Sequence, residues 1–115
     1  LHETVFRFRL DGPRPDFGWP RWEGPVCHTA PDCPARTPPW YTYPTAAFGC
    51  SAVVGGAVFE GAYWFADFCE GWIRSYDGDE LTQHFDLPGR LSAIKNVGGR
   101  LLVLGYDGGR VWEIH

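Results

Sequence analysis

The chain has 115 residues, which is enough for one ordinary domain and too few for two independent hydrophobic cores. Its 15 glycines, 10 prolines and 17% aromatic residues favour strands and turns over helices. The net charge of −4 argues against a nucleic-acid surface, which needs a basic stripe, and the apolar runs are too short to span a bilayer. We therefore expect an all-β, soluble chain with no nucleic acid and no membrane among its partners.

The chain begins at Leu1 with neither a methionine nor a secretory leader. We expect a fragment or a processed chain whose address signals lie elsewhere. Four cysteines are an even number, which indicates two disulfides and an oxidising compartment, although four cysteines allow three pairings. The cysteines thus favour an extracellular or periplasmic location.

The first third of the chain divides into a short strand and a long loop. Residues 4–10 alternate well enough to predict a strand, which ends at the turn signal Asp11-Gly12. Residues 13–44 contain nine of the ten prolines together with several aromatic residues. Because proline removes ladder donors and restricts the residue before it, we predict an ordered loop there, with neither strand nor helix.

From residue 46 onward the sequence consists of short strand-like runs separated by glycine-rich or acidic turns. The predicted strands are residues 51–59, 62–68, 72–76, 83–87, 91–97, 101–106 and 111–114. Such spacing is typical of a sandwich, a barrel or a propeller.

An internal repeat decides among these all-β folds. A shift of 38 residues superimposes Gly61 on Gly99, Phe65 on Val103, Phe68 on Tyr106, Gly71 on Gly109 and Ile73 on Val111. A period near 40 residues with several strands per unit is typical of propeller blades. The runs 63–65 and 101–104 are apolar on both faces, as expected for a blade that neighbours cover on both sides.

The motifs that follow resemble a known family. Residues 50–61 and 63–73 are similar to the late blades of the glucose/sorbosone dehydrogenases, which typically read C-S-[IV]-T-G-G-x-V-Y-R-G and then G-x-Y-x-F-[AG]-D-[FY]-C-x-G-x-[IL]. The segment at 17–20 and Glu23-Gly24 resembles the family's Y-G-W-P…E-G. The resemblance implies a six-bladed β-propeller, many members of which use pyrroloquinoline quinone (PQQ) and calcium to oxidise sugars.

On this resemblance the chain is a partial six-bladed β-propeller. Residues 46–89 would be the penultimate blade and 90–115 the last one, while 1–12 would supply an outer strand of the preceding blade and 13–45 the loop. The partners of the full-length protein would then be the remaining blades and a sugar substrate.

The chain departs from the family pattern in places that bear on activity. Glu60 stands where relatives have arginine, and the turn before Tyr63 is shortened. The catalytic histidine base and most quinone and calcium ligands of the family lie upstream of the matching segment. Basic residues of the last two blades help to hold the cofactor carboxylates in relatives, and Arg90 is the closest position here, with Pro88 in place of its companion.

The site expected from the resemblance is therefore small. It comprises Arg90 as a cofactor contact, with no catalytic residue and no metal ligand, and a surface role for Arg90 is the alternative. We expect no cofactor on this chain alone and no sugar oxidation by it. Two functions stay open. The first is part of a PQQ-dependent aldose dehydrogenase, which the frequency of enzymes in the family favours. The second is a non-catalytic binding propeller resembling hedgehog-interacting proteins, which Glu60 and the single arginine favour.

The cysteines permit two interpretations. Cys27, His28, Cys33 and Cys50 offer ligand types that suit zinc, but the six-residue step from Cys27 to Cys33 is not a zinc knuckle. We predict disulfides Cys27–Cys33 and Cys50–Cys69. If residues 59 and 62 flank a two-residue turn, Cys50 lies opposite Gly71, and a bulge at Gly55-Gly56 would shift it nearer to Cys69, within the roughly 4.4–6.8 Å Cα spacing that a disulfide needs.

Other constellations have a structural interpretation beside the functional one. Gly55-Gly56 would allow close approach of a ligand or, more simply, form a bulge. Asp67, inside an apolar strand, is expected to accept backbone N–H bonds from a neighbouring loop. The acids at 77, 79 and 80 loosely resemble a calcium loop, but a solvated turn fits better. The four histidines stand singly on turns, strand ends or termini, and we expect them to be solvated rather than catalytic: His2, His28, His84 and His115.

Overall fold

The computed structural model describes residues 1–47 and 49–115, and the regular elements of these residues are β-strands. In chain order they are β1 (His2–Val5), β2 (Trp22–Glu23), β3 (Val26–Cys27), β4 (Tyr41–Pro44), β5 (Val53–Phe59), β6 (Ala62–Asp67), β7 (Trp72–Tyr76), β8 (Leu81–Asp86), β9 (Leu91–Val97), β10 (Arg100–Gly105) and β11 (Val111–Ile114). The all-β class predicted from the sequence is confirmed. Within the described ranges no helix is long and apolar enough to cross a membrane.

The chain forms two compact units, Leu1–Thr45 and Ala46–His115. In the first unit β1 pairs antiparallel with β4, and β2 pairs with β3 in a short hairpin. The second unit contains a four-stranded sheet, in the order β5-β6-β7-β8, and a three-stranded sheet, in the order β9-β10-β11. Both sheets of the second unit are antiparallel meanders.

The strand predicted over residues 4–10 is wrong in its bounds, because β1 covers His2–Val5. Its ladder with β4 ends where the Trp40 N–H donates to the Val5 carbonyl at 2.9 Å. The residues that precede Trp40 are Pro38 and Pro39, which have no N–H to donate, so pairing stops there. Beyond the ladder, aromatic rings pack on one another, and Phe6 lies 4.3 Å from Phe17 between ring centroids.

The loop predicted over residues 13–44 contains strands after all. The hairpin β2–β3 turns at Gly24-Pro25, so that its proline lies in the turn rather than in the ladder. The β4 run Tyr-Thr-Tyr has high strand propensity and is free of proline until its last residue. Prolines therefore delimit these strands instead of preventing them.

The second unit follows the sequence pattern closely. β7, β9 and β11 have the predicted bounds, β5 and β6 differ by one or two residues at one end, and β10 begins and ends one residue earlier than predicted. β8 begins at Leu81, two residues earlier than predicted. The Asp77 carboxylate accepts the N–H groups of Asp79 and Glu80 at 2.9 and 2.8 Å, which tightens the turn and lets the β7–β8 ladder start at once.

The hydrophobic core cluster lies in the second unit, where the two sheets pack face to face. Its buried members are Trp64, Ala66, Ile73, Leu91, Ile94, Leu101, Val103 and Ile114. The first strands of the two sheets, β5 and β9, lie against each other. The Asn96 side chain also donates to the Val58 carbonyl at 3.1 Å, which joins the tips of the two sheets.

The two sheets meet through opposite faces of the repeat. β6 contributes Trp64 and Ala66 to the shared core, whereas β10 contributes Leu101 and Val103. After the 38-residue shift, Leu101 and Val103 correspond to residues 63 and 65, on the other face of β6. The packing is therefore head-to-tail, an arrangement that closes into rings or continues indefinitely.

Candidate functional site

The position singled out for cofactor contact, Arg90, lies just before β9 in the segment that connects the two sheets. Two backbone hydrogen bonds fix this segment. The Leu91 N–H donates to the Phe68 carbonyl at 3.1 Å, and the Tyr106 N–H donates to the Arg90 carbonyl at 2.7 Å. Arg90 therefore stands where the end of β6 and the β10–β11 turn come together.

The Arg90 guanidinium is held by a carboxylate of its own chain. Its Nε donates to Asp107 Oδ2 at 3.1 Å and its Nη2 to Asp107 Oδ1 at 2.7 Å, which is a bidentate pair. The Arg90 N–H also donates to Asp107 Oδ2 at 3.0 Å. These hydrogen bonds lower the pKa of Asp107 to about 2 and raise the pKa of Arg90. Both side chains are about half exposed, at 49% and 46%.

Two aromatic rings flank the pair. The Arg90 guanidinium carbon lies 4.7 Å from the Tyr106 ring centroid and 5.6 Å from that of Phe68. Phe68 and Tyr106 pack edge to face at 5.4 Å and are equivalent positions of the repeat. The arginine is thus oriented by a carboxylate and two rings, which makes the cluster of Phe68, Arg90, Tyr106 and Asp107 a structured site at one end of both sheets.

This cluster does not fit a quinone carboxylate clamp as it stands. A guanidinium has five N–H donors, and Asp107 accepts hydrogen bonds from two of them. The negative charge of Asp107 also offsets most of the positive charge that would attract an incoming carboxylate. A second anion would also approach the Asp107 carboxylate and be repelled by it. The sequence missed Asp107, although the β9–β10 hairpin register, in which Gly105 pairs with Leu91, brings residues 106 and 107 beside Arg90.

Metal ligation has no support from the described residues. Residues 1–47 and 49–115 contain no group of three or more histidine, cysteine or acidic side chains placed to hold an ion. The calcium-like acids belong to the β7–β8 turn, where the N–H groups of Glu80 and Asp79 lower the pKa of Asp77. The Asp77 carboxylate therefore serves the turn itself.

The cysteines form the two disulfides named from the sequence rather than zinc ligands. Cys27–Cys33 spans 6.0 Å between Cα atoms, and Cys50–Cys69 spans 5.5 Å. The second disulfide ties the start of the first sheet to the β6–β7 turn. Two disulfides are consistent with an oxidising environment.

Asp67 has the structural role expected for it. It is fully buried, and its carboxylate accepts the N–H groups of Cys69 and Glu70 at 2.8 and 2.9 Å and that of Ala52 at 2.9 Å. A buried carboxylate needs such donors, because desolvation without them is costly. Asp67 thus fixes the β6–β7 turn beside the Cys50–Cys69 disulfide.

The histidine expectation is wrong for His84. Its ring stacks on Trp64 at 4.0 Å between centroids, and its Nε2 lies 2.7 Å from Ser75 Oγ. Burial lowers the pKa of His84. Ile73 pairs with Phe85 and Arg74 pairs with Gln83, so His84 is an extra residue at a register shift in β8. A regular strand pattern does not predict this shift, and the contact of His84 with Trp64 was therefore missed.

Gly55-Gly56 forms the bulge that was its structural interpretation. The β5–β6 register shifts between Val54 and Ala57. A Cβ at Gly56 would meet the Trp64 carbonyl oxygen at 1.6 Å, so the neighbouring strand occupies the space that the missing side chain leaves.

No protein-family model matches this chain, and no curated protein or solved structure shows significant similarity to it.

Proposed function

We propose that this chain forms two adjacent blades of a six-bladed β-propeller in a PQQ-dependent sugar dehydrogenase of the glucose/sorbosone type. In this proposal the β5–β8 sheet is the penultimate blade and the β9–β11 sheet is the last one. The chain supplies architecture, and the chemistry of sugar oxidation resides in the remaining blades. The observation that carries the proposal is the head-to-tail packing of two repeated sheets.

Exposure along the repeat supports this arrangement. Ala66 and Ile73 are fully buried by the first sheet's packing against the second. Their equivalents in the second sheet, Leu104 and Val111, are 36% and 63% exposed. The same apolar positions are therefore covered in one repeat and open in the next, as expected if a further sheet packs there. The remaining blades are the partner that has this shape and chemistry.

Arg90 has a limited part in the dehydrogenase proposal. Because Asp107 holds the guanidinium, Arg90 would reach cofactor carboxylates only where Asp107 releases it, and the base and the main ligands would come from blades upstream. The disulfides fit the extracellular or periplasmic location that we propose for the protein.

A second function, a non-catalytic propeller used as a binding surface, is favoured by one specific observation. Asp107 neutralises the one arginine that the family resemblance assigns to the cofactor. Glu60 adds a charge reversal at the tip of the β5–β6 hairpin. In this alternative the fold is kept and the quinone site is not.

The two functions are separated by the native protein that contains this segment. Its sequence before Leu1 is determined first, and a histidine base accompanied by calcium-binding acids supports the enzyme. PQQ binding is then titrated by fluorescence for the parent protein and for Arg90→Ala and Asp107→Asn. The dehydrogenase proposal expects weaker binding for the first variant and unchanged or tighter binding for the second.

The matched control is Arg100→Ala, because Arg100 forms a similar exposed bidentate pair with Glu113, with Nε to Oε1 at 2.8 Å. It removes an equal charge away from the Arg90 cluster. PQQ affinity that falls equally in both arginine variants would remove Arg90 from the cofactor site. A native protein that binds no PQQ at all would contradict the dehydrogenase and leave the binding propeller.

A further inference from the structure

A cavity of about 260 Å³ lies within the first unit, beside the β2–β3 hairpin. Its lining is mainly aromatic and contains the rings of Phe6, Phe17, Trp19 and Trp22. Trp19 is 75% exposed, so its ring is accessible to a ligand that enters from solvent. The volume suits a ligand that consists of one six-membered ring with its substituents.

Arg36 places a half-buried guanidinium in this cavity. Its guanidinium carbon lies 4.0 Å from the centroid of the Trp22 ring. That ring is itself fixed, because Trp22 Nε1 donates to the Pro34 carbonyl at 3.0 Å. Within residues 1–47 and 49–115, no acidic side chain forms an ion pair with Arg36. Stacking leaves the edge of a guanidinium open, and a carboxylate matches that edge with two parallel hydrogen bonds.

Glu23 lines the same cavity and restricts what else the ligand can carry. Its Oε1 accepts the His2 N–H at 3.2 Å, and its Oε2 lies 3.2 Å from His28 Nε2. An ionised carboxylate has about four acceptor sites, so Glu23 can still accept hydrogen bonds from ligand hydroxyl groups. The body of an aromatic acid has no such donors and would desolvate Glu23 without compensation. A neutral sugar, in turn, would leave Arg36 without a counterion.

We propose that this cavity binds a uronate, a pyranose ring that carries a carboxylate beside its hydroxyl groups. The carboxylate pairs with Arg36, hydroxyl groups donate to Glu23, and one face of the sugar ring packs on Trp19. The C–H groups of that face are attracted to the negative face of the indole ring. Because the first unit alone recognises the ligand, the inference goes beyond the proposed function and depends on neither PQQ nor sugar oxidation.

The test compares two ligands in the full 115-residue chain by ligand-observed NMR titration. Methyl glucuronide and methyl glucoside differ only in the carboxylate, which the glucoside replaces by a hydroxymethyl group. We expect the glucuronide to bind about tenfold or more tightly, because only it forms the charge-assisted pair with Arg36. Equal affinities, or binding of neither ligand at millimolar concentrations, would overturn the proposal. So would tighter binding of benzoate, which carries a carboxylate without hydroxyl groups.

Variants then assign the preference to the cavity. Arg36→Gln removes the cation and should lower the affinity for the glucuronide to that for the glucoside. The matched control is Arg74→Gln, because Arg74 also stacks on a tryptophan, Trp72, at 3.8 Å but does not line the cavity. Trp19→Ala should weaken both ligands equally, since both use the stacking face.

The ligand comparison in the parent chain stands whether or not Arg36→Gln folds, and near-ultraviolet circular dichroism reports the packing of each variant. A preference for the glucuronide that persists in folded Arg36→Gln, or that disappears in folded Arg74→Gln, would contradict the assignment of the carboxylate to Arg36. Unchanged affinities in Trp19→Ala would contradict the stacking of the sugar ring on Trp19.

Discussion

Replacement of Gly56 by alanine tests the packing of the first sheet at its tightest point. The added Cβ would lie 1.6 Å from the Trp64 carbonyl oxygen, 2.7 Å from the Trp64 carbonyl carbon and 3.2 Å from Phe65 Cα. These are backbone atoms, so no change of rotamer relieves the clash, and β5 must move away from β6. Overpacking usually costs about 1–3 kcal/mol, and we expect the upper end, about 3 kcal/mol. With a urea dependence of about 2 kcal/mol per molar, the midpoint falls by about 1.5 M.

The neighbouring glycine is a matched control. A Cβ at Gly55 would meet only the Tyr63 hydroxyl, at 3.7 Å, which is ordinary contact. Gly55→Ala also restricts the unfolded chain, so we expect a change between neutral and about 1 kcal/mol of stabilisation. Urea unfolding followed by tryptophan fluorescence measures both variants. Similar midpoints for Gly55→Ala and Gly56→Ala would refute the bulge geometry.

The remaining predictions concern a turn, a buried acid, an ion pair and the open face of the second sheet. Glu60 has a positive φ of 49°, a conformation that asparagine tolerates better than glutamate. Glu60→Asn should therefore raise the free energy of unfolding by about 0.5–1 kcal/mol, and a lower melting temperature in thermal denaturation would contradict the assigned turn. Asp67→Ala leaves the N–H groups that donate to this carboxylate without an acceptor and should lower the free energy of unfolding by about 3 kcal/mol. A decrease below about 1 kcal/mol would show that these hydrogen bonds are dispensable. Arg90 lowers the pKa of Asp107 from 3.8 to about 2, so the stability that this pair contributes is present above about pH 4 and is lost as the pH falls to 2. Asp107→Asn should remove that part of the pH dependence, and superimposable pH profiles of unfolding would argue against it. On the proposed function we expect the isolated chain to self-associate through the open apolar face of the second sheet. Val111→Lys places a charge on that face and should weaken self-association about tenfold in sedimentation velocity, since a buried valine contributes about 1.5–3 kcal/mol; unchanged association would exclude this face.

The strands of the second unit were predictable because local signals and tertiary contacts agree there. Gly61, Gly78 and Gly99 mark turns, with φ of 79°, 106° and 79°, and the runs between them are apolar where the sheets meet. The same turns fix the hairpin register, and the register brings Cys50 near Cys69. The alternation of side chains, the positions of the turns and the disulfide therefore all specify the same strand register.

The first unit was less predictable because its strands depend on distant partners. β1 ends at Val5 only because Pro39 precedes Trp40, which lies in a segment far along the chain. The sequence of residues 6–10 alternates as a strand does, but no partner supplies the second half of the ladder. A local sequence pattern indicates the propensity to form a strand, whereas a strand forms only where another strand pairs with it.

The candidate site was predicted in part for a similar reason. Arg90 was found through its place in a family pattern, but Asp107 carries no pattern of its own and lies on the next turn. Only the pairing of β9 with β10 brings the two together. The ion pair across the hairpin occupies donors that Arg90 would otherwise present to a ligand. A sequence motif identifies Arg90 but does not identify the residue that pairs with it.

The central claim is tested most directly by aldose-dependent dye reduction with added PQQ and calcium. The native protein that contains this segment is compared with the 115-residue chain alone, each against a boiled control. On the proposed function we expect turnover by the native protein and none by the isolated chain, since the two proposed blades would provide neither the base nor the calcium ligands. The absence of turnover in the native protein, or turnover by the isolated chain, would contradict it.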